Sequence, residues 1–251
     1  QTASRWRTKA ENLRRVLVEK LWREEAGRFL NHLDPHGNEA RSNFYTDFIF
    51  PALYARGTAY KILDTDYAHY AQKSMATLTP TLWDGNRLMR TGNFQPPVFG
   101  NNNILPTQMA EAAKAYVAAG EPVRALALME SIGLDSTVNT FSPGAVPERM
   151  STFFQFPQVG PIADKGVSEY IFGNPIGAFI DTVVNGIFGL EIVNQGKTLR
   201  WCPGFPVSWN NASLRYANGL ILAMAGNETR KIYRVTAGKQ LYALEFTYLI
   251  P

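Results

Sequence analysis

Hydrophobic residues in the first two-thirds of the chain recur at the spacing of amphipathic helices. In residues 5–26, Leu13, Leu17 and Leu21 stand four positions apart among charged side chains. This is the period of an α-helix that buries one face. Gly27 follows and predicts the end of this first helix. The next stretch, RFLNHLDPHGNEARSNFYTD, is rich in turn residues and predicts a short hairpin and a loop.

Five further helices are predicted in the same part of the chain, with capping residues and prolines at their ends. These helices are expected at about residues 46–63, 66–79, 104–119, 121–133 and 173–188. Pro80 predicts the end of the third helix, and Gly120 that of the fourth. Because so few residues separate the fourth and fifth helices, we expect them to form an antiparallel hairpin. Two long connections remain, at about 81–103 and 135–168, and long loops often carry function.

The pattern changes near residue 189, where short runs begin to alternate apolar with polar residues between Gly, Asn and Pro. TLRWCP, ASLRYANG, KIYRVTAG and LYALEFTYL are such runs. They predict strands and turns of an antiparallel β unit. The expected fold class is therefore α+β, with a helical domain at 1–188 and a β domain at 189–251.

Composition limits the partners of this chain. Of its 251 residues, 45% are hydrophobic and 18% charged, which is typical of a soluble globular protein. The net charge is +4, but acidic residues are interleaved with the basic ones, so we expect no nucleic-acid partner. The most apolar stretch is interrupted by Asn174, Pro175 and Asp181, so we expect no membrane span. A single cysteine, Cys202, excludes an intrachain disulfide.

Six predicted helices with unequal loops are compatible with two architectures. The segment AEAAKAYVAAGEPVRALALMESI is typical of a helical-repeat hairpin, as in non-catalytic interaction modules. Such repeats keep a constant period of ~34 residues, whereas the connections here differ widely in length. The alternative is an α/α toroid, in which inner helices surround a pocket and long loops at one end carry the chemistry.

Two segments carry a family resemblance. GAVPERMSTFF and GVSEYIFGNPIGAFIDTVVNGIFGLEI resemble a part of the (α/α)6 six-hairpin glycoside hydrolases, nearest to the inverting α-L-rhamnosidases. LVEKLWREEAGRFLNHLDPHGN also resembles a helix-and-hairpin of these folds. The matching residues are Gly144, Ala145, Glu148, Arg149, Tyr170, Gly173, Val184, Gly186 and Ile187. Pro147 replaces a tryptophan of the family pattern, and Ser168 and Glu169 replace Asn-His.

The resemblance implies about half of a toroid followed by a small antiparallel β-sandwich. It implies an inverting glycosidase in which Glu148 is the general base and Arg149 its electrostatic partner. The general acid of such folds lies upstream of Gln1, so we expect a C-terminal fragment that associates with the missing half of the toroid. Asp84 and Glu169 are the local substitutes for the acid. The alternative for Glu148 and Arg149 is a salt bridge that staples the loop.

Candidate sugar contacts flank the predicted base. Asn101, Asn102 and Asn103 precede a helix, and amides together with helix N-terminal N–H groups suit sugar hydroxyls. Asn103 could instead only cap the helix. Trp83 in the preceding loop could stack on a sugar ring or fill the core, and Tyr170 is the sugar contact that the resemblance suggests.

Other chemistry receives less support. His32, Asp34 and His36 alternate, but Asp-Pro and His-Gly pairs predict a turn, so we expect no metal and no cofactor. Asn211 and Asn227 each begin an Asn-x-Ser/Thr triplet, which matches glycosylation acceptors. A periplasmic or secreted location is favoured over the cytoplasm. A polysaccharide lyase is a third hypothesis, because polysaccharide lyases also combine an α/α toroid with a β domain.

Overall fold

The chain folds into a helical part followed by a β part, so the predicted α+β class is confirmed. The computed structural model describes residues 2–30, 32–40, 65–83, 105–138, 144, 146, 149–150, 166–168, 173–239 and 242–246. The predicted helix at 46–63 lies outside these residues. None of the helices in the described ranges is long and apolar enough to cross a membrane.

The first helix, α1, covers Thr2–Leu21 and ends earlier than predicted. Two short antiparallel strands follow it, β1 (Trp22–Arg23) and β2 (Arg28–Phe29), and Gly27 in their turn has φ +62°. The rings of Trp22 and Phe29 lie 5.0 Å apart, and Phe29 is buried. The prediction of helix to residue 26 was wrong because this hairpin buries aromatic surface that a continued helix would leave exposed.

The predicted hairpin of the next stretch is confirmed. Strands β3 (His32–Leu33) and β4 (Glu39–Ala40) pair antiparallel. Asp34 holds their turn, because its Oδ1 accepts hydrogen bonds of 2.8 Å from the backbone N–H of His36 and of Asn38. This is the local side-chain bonding that favours Asp in turns.

Helix α2 covers Thr65–Leu82, so Pro80 lies inside it rather than ending it. A proline removes the N–H that would bond the carbonyl of Ala76 four residues back, and its ring crowds that carbonyl, so continuing the helix past Pro80 has a free-energy cost. Thr79 Oγ1 donates to the carbonyl of Met75 at 2.5 Å, which satisfies a carbonyl one turn back. Leu82 is fully buried in the core, and its burial favours continuing the helix past the proline.

The predicted antiparallel helix hairpin is confirmed as α3 (Pro106–Ala118) and α4 (Pro122–Val138). Gly120 has φ +81° and ends α3, and the N–H of Glu121 donates to the carbonyl of Tyr116 at 2.8 Å. This is the left-handed C-terminal cap that glycine favours. Most residues of α3 are buried, which makes it the central helix of the described part.

Two short strands, β5 (Arg149–Met150) and β6 (Gly166–Ser168), precede the last helix. That helix, α5, covers Gly173–Asp181 and continues as a π-helix over Thr182–Ile187, so the helix predicted at 173–188 is confirmed. The wider π turn is a feature that the sequence pattern did not predict.

Among the described residues after Gly189, six strands form two three-stranded sheets. They are β7 (Leu190–Val193), β8 (Thr198–Trp201), β9 (Asn211–Arg215), β10 (Ile221–Gly226), β11 (Lys231–Thr236) and β12 (Ala243–Phe246). In one sheet β10 lies between β9 and β11, and both pairs are antiparallel. In the other sheet β8 pairs antiparallel with β7 and parallel with β12.

All four runs that predicted strands form strands, but the expectation of a purely antiparallel unit was wrong. The pairing of β12 with β8 is parallel, from Ala243↔Thr198 to Phe246↔Trp201. A parallel pair requires a long crossover, and here the whole of the other sheet supplies that connection. Local alternation specifies a strand but not the direction of its neighbour.

Two hydrophobic clusters form the core, and Phe205 packs against both. The helical cluster consists mainly of side chains from α2, α3 and α4. The β cluster joins Leu199 and Trp201 of one sheet with Leu222 of the other. Secondary structure therefore changes near residue 189 as expected, while side-chain packing continues across that point. The division into domains at 188 and 189 stays a prediction.

Candidate active site

Two short strands, β5 and β6, connect the two segments that resemble the glycosidase motif. Arg149 of β5 pairs with Ser168 of β6, and Met150 pairs with Gly166, with an irregular register between them. The predicted base, Glu148, directly precedes β5 in sequence and lies outside the described residues. The pairing therefore brings together backbone positions next to two predicted elements of one site.

One residue of the predicted base loop is anchored in the helical core. Val146 is buried and belongs to the same cluster as the central helix α3. Gly144 just before it is exposed and has φ +84°, a conformation that favours glycine. The loop thus reaches the core within two residues of the position of the predicted base.

Helices α3 and α5 run in the same direction, as their contacts show. Thr182 Oγ1 donates to the carbonyl of Ala110 at 3.0 Å, and Asp181 binds Lys114 one turn further along α3. A Cβ at Gly186 would lie 3.3 Å from Cγ of Lys114. From the Thr182–Ala110 contact to the Gly186–Lys114 contact the position advances by four residues along both elements, so both helices begin at the same end of the structure.

This shared end is where two predicted sugar-contact segments enter helices. Asn103 stands three residues before Pro106, the first residue of α3, and Tyr170 three residues before Gly173, the first of α5. The first turn of a helix has unpaired N–H groups that suit anions and hydroxyl oxygens. Asn101, Asn102, Asn103 and Tyr170 themselves are among the residues that the structure does not describe.

A buried ion cluster fixes α3 against α5, and sequence reasoning missed it. The side chain of Lys114 is only 4% exposed, and its ammonium binds the carboxylate of Asp181. Glu111 Oε1 lies 3.3 Å from the same nitrogen, and Asn185 donates to the other oxygen of Asp181. The signal in the sequence was a lone lysine among the alanines of AEAAKAYVAA. Because both carboxylates face this lysine, they are poor candidates for a general acid.

Trp83 lies away from the shared helix end. Its ring meets Tyr116 edge-on at 6.0 Å, and the guanidinium of Arg124 lies 5.5 Å from its centroid. Tyr116 is ten residues beyond Pro106, which corresponds to about 15 Å along the helix axis. Trp83 thus occupies a packed position between α2, α3 and α4, and its predicted contact with a sugar stays a prediction.

The Trp83 cluster has no acid–base character near neutral pH. Burial raises the pKa of the Tyr116 hydroxyl to about 12, although its hydrogen bond with Thr79 opposes the shift. The two hydroxyl oxygens lie 2.6 Å apart. Tyr116 therefore remains protonated and serves as a hydrogen-bonding core residue.

Other carboxylates in the described part differ in burial: burial raises the pKa of the Glu191 carboxyl in β7, which lies beside Arg200, whereas Glu24 is exposed. Glu24 binds the ammonium of Lys73, which lowers the pKa of that carboxyl to about 2, with help from the indole N–H of Trp22. No three His, Cys, Asp or Glu side chains in the described ranges are grouped to hold a metal ion. Asp84 and Glu169, the local substitutes for a general acid, lie beyond the described ranges.

Comparison with known proteins adds no family to these observations. No family model matches the chain, and no curated protein matches it. The resemblance to six-hairpin glycosidases thus depends on the two quoted segments and on the geometry around β5, β6, α3 and α5.

Proposed function

We propose that this chain is part of an inverting glycoside hydrolase, with about half of an α/α toroid followed by a small β-sandwich. The pairing of Arg149 with Ser168 carries the proposal, because it joins one residue from each of the two motif segments. The parallel course of α3 and α5 supports it, since parallel helices with their N-termini at one end suit the inner ring of a toroid. The β cluster shared by the two sheets supports the sandwich.

Glu148 is the general base in this proposal. It takes a proton from a water molecule whose oxygen attacks the anomeric carbon, while the bond from that carbon to the leaving oxygen breaks. A general acid protonates the leaving oxygen, and the product has inverted configuration. Arg149 favours the ionised form of the neighbouring carboxyl and so keeps its pKa low enough for a base.

The acid is supplied from outside the described residues. An inverting pair of carboxyl groups stands roughly 6.5–9.5 Å apart, which leaves room for the water. Asp181 and Glu111 are engaged by Lys114 and do not fit this role. Asp84 and Glu169 remain the local substitutes for the acid, but the family resemblance implies an acid supplied by a preceding segment or an associated chain, so we expect residues 1–251 alone to hydrolyse no glycoside. Sugar hydroxyls would contact Tyr170 and Asn101–Asn103.

The decisive experiment replaces Glu148 by Gln in the active assembly. Because a positioned base contributes about 10²–10⁴-fold to turnover, we expect kcat to fall by that range while KM changes little. NMR of the first product formed by the unmodified assembly should show the inverted anomer. A panel of aryl glycosides, α-L-rhamnoside included, identifies the sugar.

The matched control is Glu228→Gln. Glu228 is exposed in the turn between β10 and β11, and its replacement should leave kcat unchanged. Turnover of Glu148→Gln within about threefold of the unmodified enzyme would contradict the role of this residue. A retained anomeric configuration, or an unsaturated product absorbing in the ultraviolet, would contradict the inverting hydrolase and favour a retaining enzyme or a lyase.

A further inference from the structure

The turn between β10 and β11 presents an Asn-x-Thr triplet at the tip of a hairpin. Strand β10 ends at Gly226 and β11 begins at Lys231, so Asn227, Glu228 and Thr229 lie within the connecting turn. All three residues are exposed. The triplet is the sequence that N-glycosylation requires, and that modification takes place at the protein surface.

Local hydrogen bonds fix the two functional groups of this triplet on the same side of the tip. Asn227 Oδ1 accepts from Oγ1 of Thr229 at 2.8 Å and from its backbone N–H at 3.0 Å. It also accepts from the N–H of Arg230 at 2.9 Å. The carboxamide oxygen is therefore committed to the turn, which leaves Nδ2, the atom that receives a glycan, as the other polar atom of this exposed side chain.

A second triplet in the same sheet provides a comparison within the chain. Asn211 begins Asn-Ala-Ser at the start of β9, and its backbone pairs with Ala225 of β10. Ser213, the third residue of that triplet, pairs with Ala223 in the same ladder. The backbone of this triplet belongs to the sheet, whereas the backbone of Asn227–Thr229 belongs to a turn that projects from it.

We propose that Asn227 is a glycan acceptor when the chain enters a secretory compartment that contains an oligosaccharyltransferase. Nδ2 of Asn227 forms a C–N bond to the anomeric carbon of a lipid-linked oligosaccharide. The C–O bond between that carbon and the lipid pyrophosphate breaks, and the pyrophosphate leaves with the bonding electron pair. One Nδ2 proton is released. A glycan at this tip extends into solvent, so it requires no rearrangement of either sheet. The proposal is independent of the catalytic role of Glu148.

The test is expression of residues 1–251 behind a cleavable secretory leader in a eukaryotic cell. A parallel translation of the same sequence in the presence of microsomes does not require export of the protein. Peptide mass spectrometry after amidase treatment should find Asp at position 227 in most molecules, and much lower occupancy at position 211. Asn227→Gln should abolish that signal because it removes the acceptor. Thr229→Ala should abolish it as well, because this variant retains the acceptor but lacks the hydroxyl. Asn211→Gln should keep it.

Three results would overturn the proposal. One is a chain that carries no glycan at Asn227 in either system. A second is modification at Asn211 equal to or greater than that at Asn227, since sequence alone and not the turn would then decide the acceptor. Retained modification of Thr229→Ala would equally exclude the triplet as the recognised element.

Discussion

At the scale of the residue, Gly189 shows how one backbone position joins the helical part to the first sheet. Its φ is +61°, and a Cβ added there would lie 1.7 Å from the carbonyl oxygen of Cys202. The N–H of Cys202 donates to the carbonyl of Gly189 at 2.9 Å. The two backbones are therefore in direct contact, and no side chain fits between them.

Gly189→Ala should destabilise the protein by about 3 kcal/mol, because overpacking costs about 1–3 kcal/mol and a left-handed alanine about 1–2 kcal/mol. Urea unfolding followed by circular dichroism measures the change. Gly133→Ala in α4 is the control, since a Cβ there meets nothing within 4 Å, and it should gain about 0.5–1 kcal/mol from helix propensity. Equal effects of the two substitutions would exclude close backbone packing at Gly189.

At the scale of the element, the buried cluster of Lys114 connects α3 with α5 where the latter becomes a π-helix. Removing one partner of a buried ion pair leaves an uncompensated charge, which costs more than the pair contributes. The side chain of Asp181 is 29% exposed, and Glu111 stays near the ammonium, so the cost is smaller than for a fully enclosed pair.

Asp181→Asn should therefore destabilise the protein by about 2 kcal/mol, and Lys114→Met combined with it should recover most of that loss. A double-mutant cycle from urea unfolding measures the coupling. Glu121→Gln removes an exposed ion pair between the residue before α4 and Arg124 in its first turn, and it should change stability by less than about 1 kcal/mol. Similar losses from Asp181→Asn and Glu121→Gln would show that burial adds nothing to this pair.

At the scale of the whole molecule, the segment after β8 holds the helical and β parts together. Phe205 packs against both hydrophobic clusters, and its ring stacks on Trp209 at 5.6 Å. A Cβ at Gly204 would lie 2.5 Å from Cγ1 of Val117 in α3. This close contact makes the β part a structural neighbour of the central helix rather than a freely tethered unit.

The described parts should consequently unfold in one thermal transition, observed together by the helical signal and by tryptophan fluorescence. Phe205→Ala should lower stability by about 2–3 kcal/mol, less than for a fully buried ring, and weaken both signals at one lower temperature. Val207→Ala in the same segment is the control, because this valine is exposed, and it should change stability by about 0.5 kcal/mol or less. Two separate transitions in the unmodified chain would contradict the coupling.

The candidate site could be predicted from the sequence only as a set of segments. The family resemblance selected Gly144 and Arg149. The structure adds that Arg149 lies in β5, which pairs with β6. Lys114 was missed, because one lysine in an alanine-rich helix has no local signature of burial. Trp83 was selected for its aromatic ring, which suits a sugar and a core equally well.

The sequence by itself determined where α3, α4 and α5 and the strands β8, β9, β11 and β12 lie, because periodicity, caps and turns depend on residues close together along the chain. The tertiary structure decided the rest. It set the hairpin of Trp22 and Phe29 after α1, the parallel pairing of β12 with β8, and the burial of Lys114. Each of these depends on contacts between residues far apart in sequence, whose free energy exceeds local preference and leaves no periodic trace.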